Sequence, residues 1–132
     1  MKFIVEESTL SGHVKIPGSK SHTIRALVAG LLADGTSEII DPLVSSDTTS
    51  CVDMVTCMGA EVSRGDTIWK VKGTGGNLPV PTNVIDVGNS GTSLYIGLGV
   101  SALCEGYTVF TGDSQIRNRP AEGLVRSIND LG

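Results

Sequence analysis

LVAGLLADGTSEIID (residues 27–41) and LGVSALCEGYTVFTG (residues 98–112) are two versions of one pattern. Each runs an apolar helical stretch into a glycine and then into a short strand rich in β-branched or aromatic residues. The helix-ending glycines, Gly35 and Gly106, lie 71 residues apart, and the glycines closing the next helix of each copy, Gly59 and Gly132, lie 73 apart. A slip of two residues in the intervening loop reconciles the two spacings. The first copy continues into a strand pair over Glu61–Val71, and the second reaches Gly132 where its own pair falls due. Each copy thus reads as a β-α-β-α-β-β unit, and the chain holds about one and a half of them. Repeat units close their cores against stacked neighbours, so the chain is expected to be a fragment of a longer repeat protein. A chance likeness between two ordinary helix–strand units is the alternative.

Outward from the repeat, Lys2–Glu6 and His13–Ile16 read as short strands, the second stopped by Pro17 and Gly18. Ser21 to about Asp34 reads as a helix, capped at its end by Gly35. Its apolar residues Ile24, Ala26, Leu27, Val28, Ala29, Leu31 and Leu32 cover so wide a face that it should be largely buried. Ser37–Ile40 is a strand. Asp47 is the expected N-cap of a helix carrying Cys51, Met54, Val55 and Met58 on one side and ending at Gly59. A hairpin turns at Arg64-Gly65-Asp66 between Glu61–Val62 and Thr67–Val71. After a loop over Gly73–Pro81 come a strand (Val84–Val87), a helix (Ser90 to about Cys104), a strand (Tyr107–Phe110) and a helix (Pro120–Leu131) with proline in its first position.

Composition removes several functions. The chain has 132 residues, 39% hydrophobic and 18% charged, with a net charge of -4. Such a chain is too apolar for a disordered one and can bury roughly two-thirds of its surface. An acidic domain is a poor partner for nucleic acid, and aromatics at 4% offer few stacking platforms. No apolar run approaches ~18 residues, so no membrane span is expected. Three cysteines, Cys51, Cys57 and Cys104, form no C-x-x-C motif, and neither His13 nor His22 completes a metal set. Three reduced, mostly buried thiols in a cytoplasmic protein is the expectation.

Three motifs can carry chemistry. Pro17-Gly18-Ser19-Lys20-Ser21 lies between a strand and a helix, with Arg25 one turn on from Ser21. The helix start presents unpaired N–H groups and the positive end of its dipole. Lysine, hydroxyl and guanidinium converge there, which suits a phosphate or carboxylate. It is not a P-loop, because its glycine and lysine are misplaced. Gly88-Asn89-Ser90-Gly91-Thr92 repeats the arrangement one unit later, and Gly91 lets a backbone approach an oxyanion. Gln115-Ile116-Arg117-Asn118-Arg119-Pro120 precedes the last helix and sets Arg119 at its N-terminus. Capped helices with solvated cations satisfy each motif equally well when it is taken alone. Gly73-Thr74-Gly75-Gly76 opens no helix, so a dinucleotide fingerprint is not expected. His22 beside Ser21 lacks the partners of a serine triad.

PGSKSHTIRA, then GNSGT, then RNRPAEGLV, in that order, resemble the N-terminal part of the 5-enolpyruvylshikimate-3-phosphate synthase family over nearly the whole chain. The resemblance implies the inverse α/β fold of that family, with two domains of three β-α-β-α-β-β units each. Residues 1–17 would belong to the other domain, and 18–132 would form part of a substrate-binding domain, with a first unit over about 18–80 and a truncated second over about 83–132. It implies transfer of the enolpyruvyl group of phosphoenolpyruvate to the 5-hydroxyl of shikimate 3-phosphate, with loss of phosphate and without cofactor or metal. Lys20, Ser21 and Arg25 would bind shikimate 3-phosphate. Lys20, Asn89, Gly91 and Arg119 would hold phosphoenolpyruvate, Lys20 and Arg119 being the catalytic pair. Both substrates are anions, and their charge must be held while the enol ether carbon becomes cationic. The partners implied are these two small anions and the C-terminal domain of the same enzyme, with no nucleic acid and no membrane.

Two departures stand out. The family places an arginine where this chain has Tyr95, and a basic residue where it has Gln115, for which Arg117 is the candidate substitute. A divergent paralogue and a non-catalytic anion-binding module are the alternatives. The related UDP-N-acetylglucosamine enolpyruvyl transferases resemble the chain less. They carry a cysteine where it has Ser114 and Lys-Asn where it has Lys20-Ser21.

Overall fold

A computed structural model describes residues 2–132. The first helix, α1, spans Lys20–Leu32, with Ser19 as N-cap accepting a hydrogen bond from the His22 N–H. It begins one residue earlier than expected. Its end is capped by Ala33 rather than Gly35, which at φ +89° instead turns the chain into the next strand. Ile24, Leu27, Val28 and Leu31 are buried, as the wide apolar face requires.

Strand β1 (Thr36–Ile40) leads through Asp41–Ser45 to helix α2 (Ser46–Cys57). The N-cap of α2 is Ser45, not Asp47. Ser45 and Thr48 form a reciprocal capping box that satisfies two of the orphan N–H groups. Asp47 sits in the first turn, free to face elsewhere. Gly59, at φ +105°, follows Met58, the C-cap of α2, in a conformation that costs side-chain-bearing residues dearly. Strands β2 (Glu61–Arg64) and β3 (Ile68–Lys72) form the hairpin. The sheet order is β1-β3-β2, antiparallel throughout, with Trp69 opposite Ile39 and Arg64. Trp69 and Val71 face the helices, while Lys70 pairs with Glu38 at 3.0 Å and Lys72 with Glu61 at 2.7 Å on the wet face. Alternation along β3 therefore divides core from solvent.

The second unit is leaner. Strand β4 (Ile85–Asp86) pairs parallel with β5 (Phe110–Thr111), and α3 (Gly91–Ser101) crosses between them. Both strands are shorter than expected, and α3 stops at Ser101 rather than Cys104. A short helix α4 (Ser114–Arg117), capped by Asp113, stands where the sequence suggested only a basic loop. Helix α5 spans Glu122–Leu131 with Ala121 as N-cap, so Pro120 lies outside the helix rather than at its first position. α1, α2 and α3 pack on one another, and Ile24, Leu27, Met54, Val55, Trp69, Val87 and Leu94 share one core.

The expected strands at Lys2–Glu6 and His13–Ile16 do not form. Residues 2–17 are exposed throughout, with Val14 and Ile16 among the exposed apolar side chains. β4 has β5 beside it, whereas the corresponding stretch before α1 gains only the ion pair of Lys15 with Asp41 at 3.1 Å. A strand without a paired edge or a buried face has nothing to offset its ordering entropy.

Candidate functional site

Two helix starts are locked together at the end of the first unit. Thr23 Oγ1 donates to the Ser19 carbonyl (3.0 Å) and accepts from the Leu43 N–H (3.0 Å). The Leu43 carbonyl in turn accepts from Thr48 Oγ1 at 2.8 Å, and Thr48 Oγ1 accepts from the Ser45 N–H at 2.9 Å. One residue, Leu43, thus ties the first turn of α1 to the first turn of α2. Gly18 permits the approach. A Cβ there would run into the Asp41 carbonyl and lie 3.0 Å from the Leu43 nitrogen, backbone atoms that cannot step aside.

This frame presents the side chains of the first motif. Lys20, the first residue of α1, places Nζ 2.7 Å from Oδ2 of Asp47, in the first turn of α2. Arg25 folds back along its own helix, donating from Nη1 to the Ser21 carbonyl at 3.0 Å. Lys20 and Arg25 are exposed and Ser21 half-buried, so all three are open to a ligand at the N-terminus of α1. Asp47 was legible in the sequence as an acidic residue at a helix start. Its pairing with Lys20 spans 27 residues and has no local signal.

The second anion motif forms the start of α3. Ser90 caps it, accepting from the Ser93 N–H, and is itself fully buried. Gly91 and Thr92 open the helix, where N–H groups precede any intrahelical acceptor. Asn89 is exposed beside them. Arg119 reaches this helix start from the third motif. A methyl group built on Gly91 would lie 2.7 Å from Arg119 Nη1, so the guanidinium rests against the bare Gly91 backbone. The sequence set Arg119 at the start of α5, but the structure places its charged group at the start of α3. Tyr95, one turn into α3, donates its hydroxyl to the Pro120 carbonyl (3.2 Å), bracing the same loop. Arg117 donates to the Gly112 carbonyl at 2.8 Å and shares with Arg119, Leu94, Leu98 and Phe110 a cleft of about 450 Å³.

The two anion motifs make no direct side-chain hydrogen bond to each other among the described residues. α2 touches both. Its Asp47 meets Lys20, and its Ser50, one turn on, lies against Gly88, where a Cβ would come within 2.8 Å of Ser50 Oγ. Among the described residues no group of three or more His, Cys, Asp or Glu is placed to hold a metal, and no helix is long and apolar enough to cross a membrane. Cys51 is buried beneath the site with its thiol pushed up from 9.0 to about 11 by burial, against a smaller opposing effect of its hydrogen bond with Ser93. Cys57, by contrast, is exposed, and Cys104 is half-buried.

A mixed α/β chain that sets Lys20 and Arg25 at one helix start and Arg119 at another has the groups that suit small anions. Comparison with known proteins narrows this class. A family profile for EPSP synthase (3-phosphoshikimate 1-carboxyvinyltransferase) matches residues 4–132, and the chain belongs to that family. It is 52% identical over 128 residues to the 3-phosphoshikimate 1-carboxyvinyltransferase of Acetivibrio thermocellus, a match covering 97% of this chain and 30% of the relative. With the enzyme of the same name from Methanothermobacter thermautotrophicus it shares 46% over 133 residues, covering 100% of this chain and 32% of the relative. EPSP synthase from Acinetobacter baumannii superposes with a TM-score of 0.85 at 27% identity, over 92% of this chain and 28% of the other. The chain thus spans about 30% of the length of the curated relatives it matches.

Proposed function

We propose that this chain supplies part of the active site of an enzyme that transfers the enolpyruvyl group of phosphoenolpyruvate to the 5-hydroxyl of shikimate 3-phosphate, releasing phosphate. The observation that carries the reading is the seating of the Arg119 guanidinium on Gly91 at the start of α3, while Lys20 and Arg25 stand at the start of α1. In this reading Lys20, Ser21 and Arg25 bind the phosphate of shikimate 3-phosphate. Lys20, Asn89, Gly91 and Arg119 hold phosphoenolpyruvate. Addition–elimination needs the two anions fixed side by side and the phosphate charge held as it departs, a task for preorganised cations and helix N–H groups. Lys20 and Arg119 are the groups assigned to it. Neither a metal nor a cofactor is needed.

The relatives named 3-phosphoshikimate 1-carboxyvinyltransferase are about three times as long as this chain. The reading therefore assigns the remaining cations, the acid–base groups and a second domain to sequence beyond these residues, and gives residues 1–17 to that second domain. Residues 18–132 form its substrate-binding partner. A phosphorylated, freely diffusing substrate pair also fits the cytoplasm.

A calorimetric titration of the chain with shikimate 3-phosphate, with shikimate and inorganic phosphate as controls, tests this. Binding that requires both ring and phosphate supports the synthase reading. Equal binding of inorganic phosphate supports a simple anion nest instead. Measurable turnover by this chain alone would contradict the division of the site.

A further inference from the structure

A carboxylate is an odd neighbour for a lysine meant for anions, because by Coulomb's law it opposes every anion that approaches. Five ion pairs join the described residues, and Asp47 is the one carboxylate among them that is mostly buried, its side chain 19% exposed. A part-exposed pair contributes little to stability. Its geometry, in contrast, is closely determined. Asp47 stands in the first turn of α2, where the helix dipole favours a carboxylate. The backbone of Leu43, its N–H bonded to Thr23 and its carbonyl to Thr48, sets that turn against the start of α1. One turn along the same helix, Ser50 touches Gly88 at the foot of the second anion motif.

We infer that Asp47 is a positioning residue, holding the Lys20 ammonium at one point beside the start of α1. The inference rests on the reading of Lys20 as an anion ligand. Lysine is a flexible four-carbon stem ending in three donors. Asp47 occupies one donor and leaves two for substrate oxygens. A ligand then meets a lysine already extended toward it, and less side-chain freedom is lost on binding. The dipole of α2 offsets part of the repulsion that the carboxylate exerts on the ligand.

The positioning role and plain electrostatics predict opposite signs. Asp47→Asn raises the net charge by one, so electrostatics alone would tighten phosphate binding. Loss of positioning weakens it, by roughly threefold to tenfold for a part-exposed charge-assisted pair. The test follows the Lys20 ammonium by ¹⁵N NMR in the 132-residue chain, identified by its loss in Lys20→Arg, during titration with inorganic phosphate and then shikimate 3-phosphate. In the unaltered chain the Lys20 ammonium should exchange protons more slowly than that of Lys2, which is exposed and outside every ion pair described. In Asp47→Asn it should exchange as fast as Lys2, and both ligands should bind more weakly. Asp47→Glu should restore part of the affinity.

Fast exchange at Lys20 in the unaltered chain overturns the inference without recourse to any variant. Unchanged or tighter binding by Asp47→Asn, with Lys20 still shifting on phosphate, overturns the positioning role and leaves the anion site standing. No ligand-induced shift at Lys20 in the unaltered chain refutes the anion site itself, and the role of Asp47 with it.

Discussion

Thr48→Val tests the frame on which the site stands. Thr48 is fully buried, and valine keeps its branched shape while removing the hydroxyl. That hydroxyl donates to the Leu43 carbonyl at 2.8 Å and accepts from the Ser45 N–H at 2.9 Å. Both backbone groups, which are half-buried, lose a partner. Leaving a buried polar group unsatisfied costs about 1–3 kcal/mol, and losing half a capping box costs about 1 kcal/mol more. The two overlap, since the Ser45 N–H belongs to both, so the expected loss is about 2–3 kcal/mol. Urea unfolding followed through Trp69 is the assay. Trp69 is the single tryptophan and is 1% exposed, so its emission reports on the core directly. The midpoint should fall with the slope unchanged, since the surface exposed on unfolding is the same. Thr49→Val is the control, because the Thr49 side chain makes no hydrogen bond among the described residues. It should shift stability by less than about 0.5 kcal/mol. Equal midpoints for the two variants would refute the claim that the Leu43 backbone bolts α1 to α2.

Three further outcomes are expected. Arg25→Ala should weaken shikimate 3-phosphate binding by about 1.5–3 kcal/mol with the urea midpoint unchanged, and an unaltered affinity would make Arg25 a solvated cation. Gly91→Ala should change stability by about 1 kcal/mol or less, because the clash is with the far end of a flexible arginine. Phosphoenolpyruvate affinity by calorimetry should fall as Arg119 is displaced, and an unchanged affinity would remove Arg119 from the site. Cys51 should make stability depend on pH in the alkaline range. Its thiol is protonated in the folded chain up to about 11 but ionises from 9.0 once unfolded, so the folded state binds more protons between those values and stability must fall as pH rises through them. Cys51→Ala should remove that slope in urea titrations at pH 9 to 11, and an identical slope would assign it to other groups.

The site was legible in outline because its parts are local. A loop–helix junction with Gly18, Lys20 and Ser21, or with Gly88, Ser90 and Gly91, marks a helix start suited to an anion within a few residues. Glycine punctuation likewise marked where α1 and α2 end, to within two or three residues, whereas Gly106 lies five beyond the end of α3. The errors fell where two local options compete. Asp47 and Ser45 are both good caps, and only the Thr48 partner selects Ser45. Lys2–Glu6 and His13–Ile16 alternate like strands, yet no edge pairs with them.

By itself the sequence determined the order of helices and strands from α1 onward save the short α4, the buried face of α1 and which lysine, arginine and glycine residues stand at helix starts. Periodicity, capping and backbone freedom are short-range properties, written within a turn or two of chain. Tertiary structure alone decided which of those residues meet. Lys20 finds Asp47 across 27 residues, and Tyr95 finds the Pro120 carbonyl across 25. Arg119 leaves the helix it precedes and settles on Gly91. Such contacts depend on how α1, α2 and α3 pack, and packing is a property of the whole core that no single stretch of sequence contains.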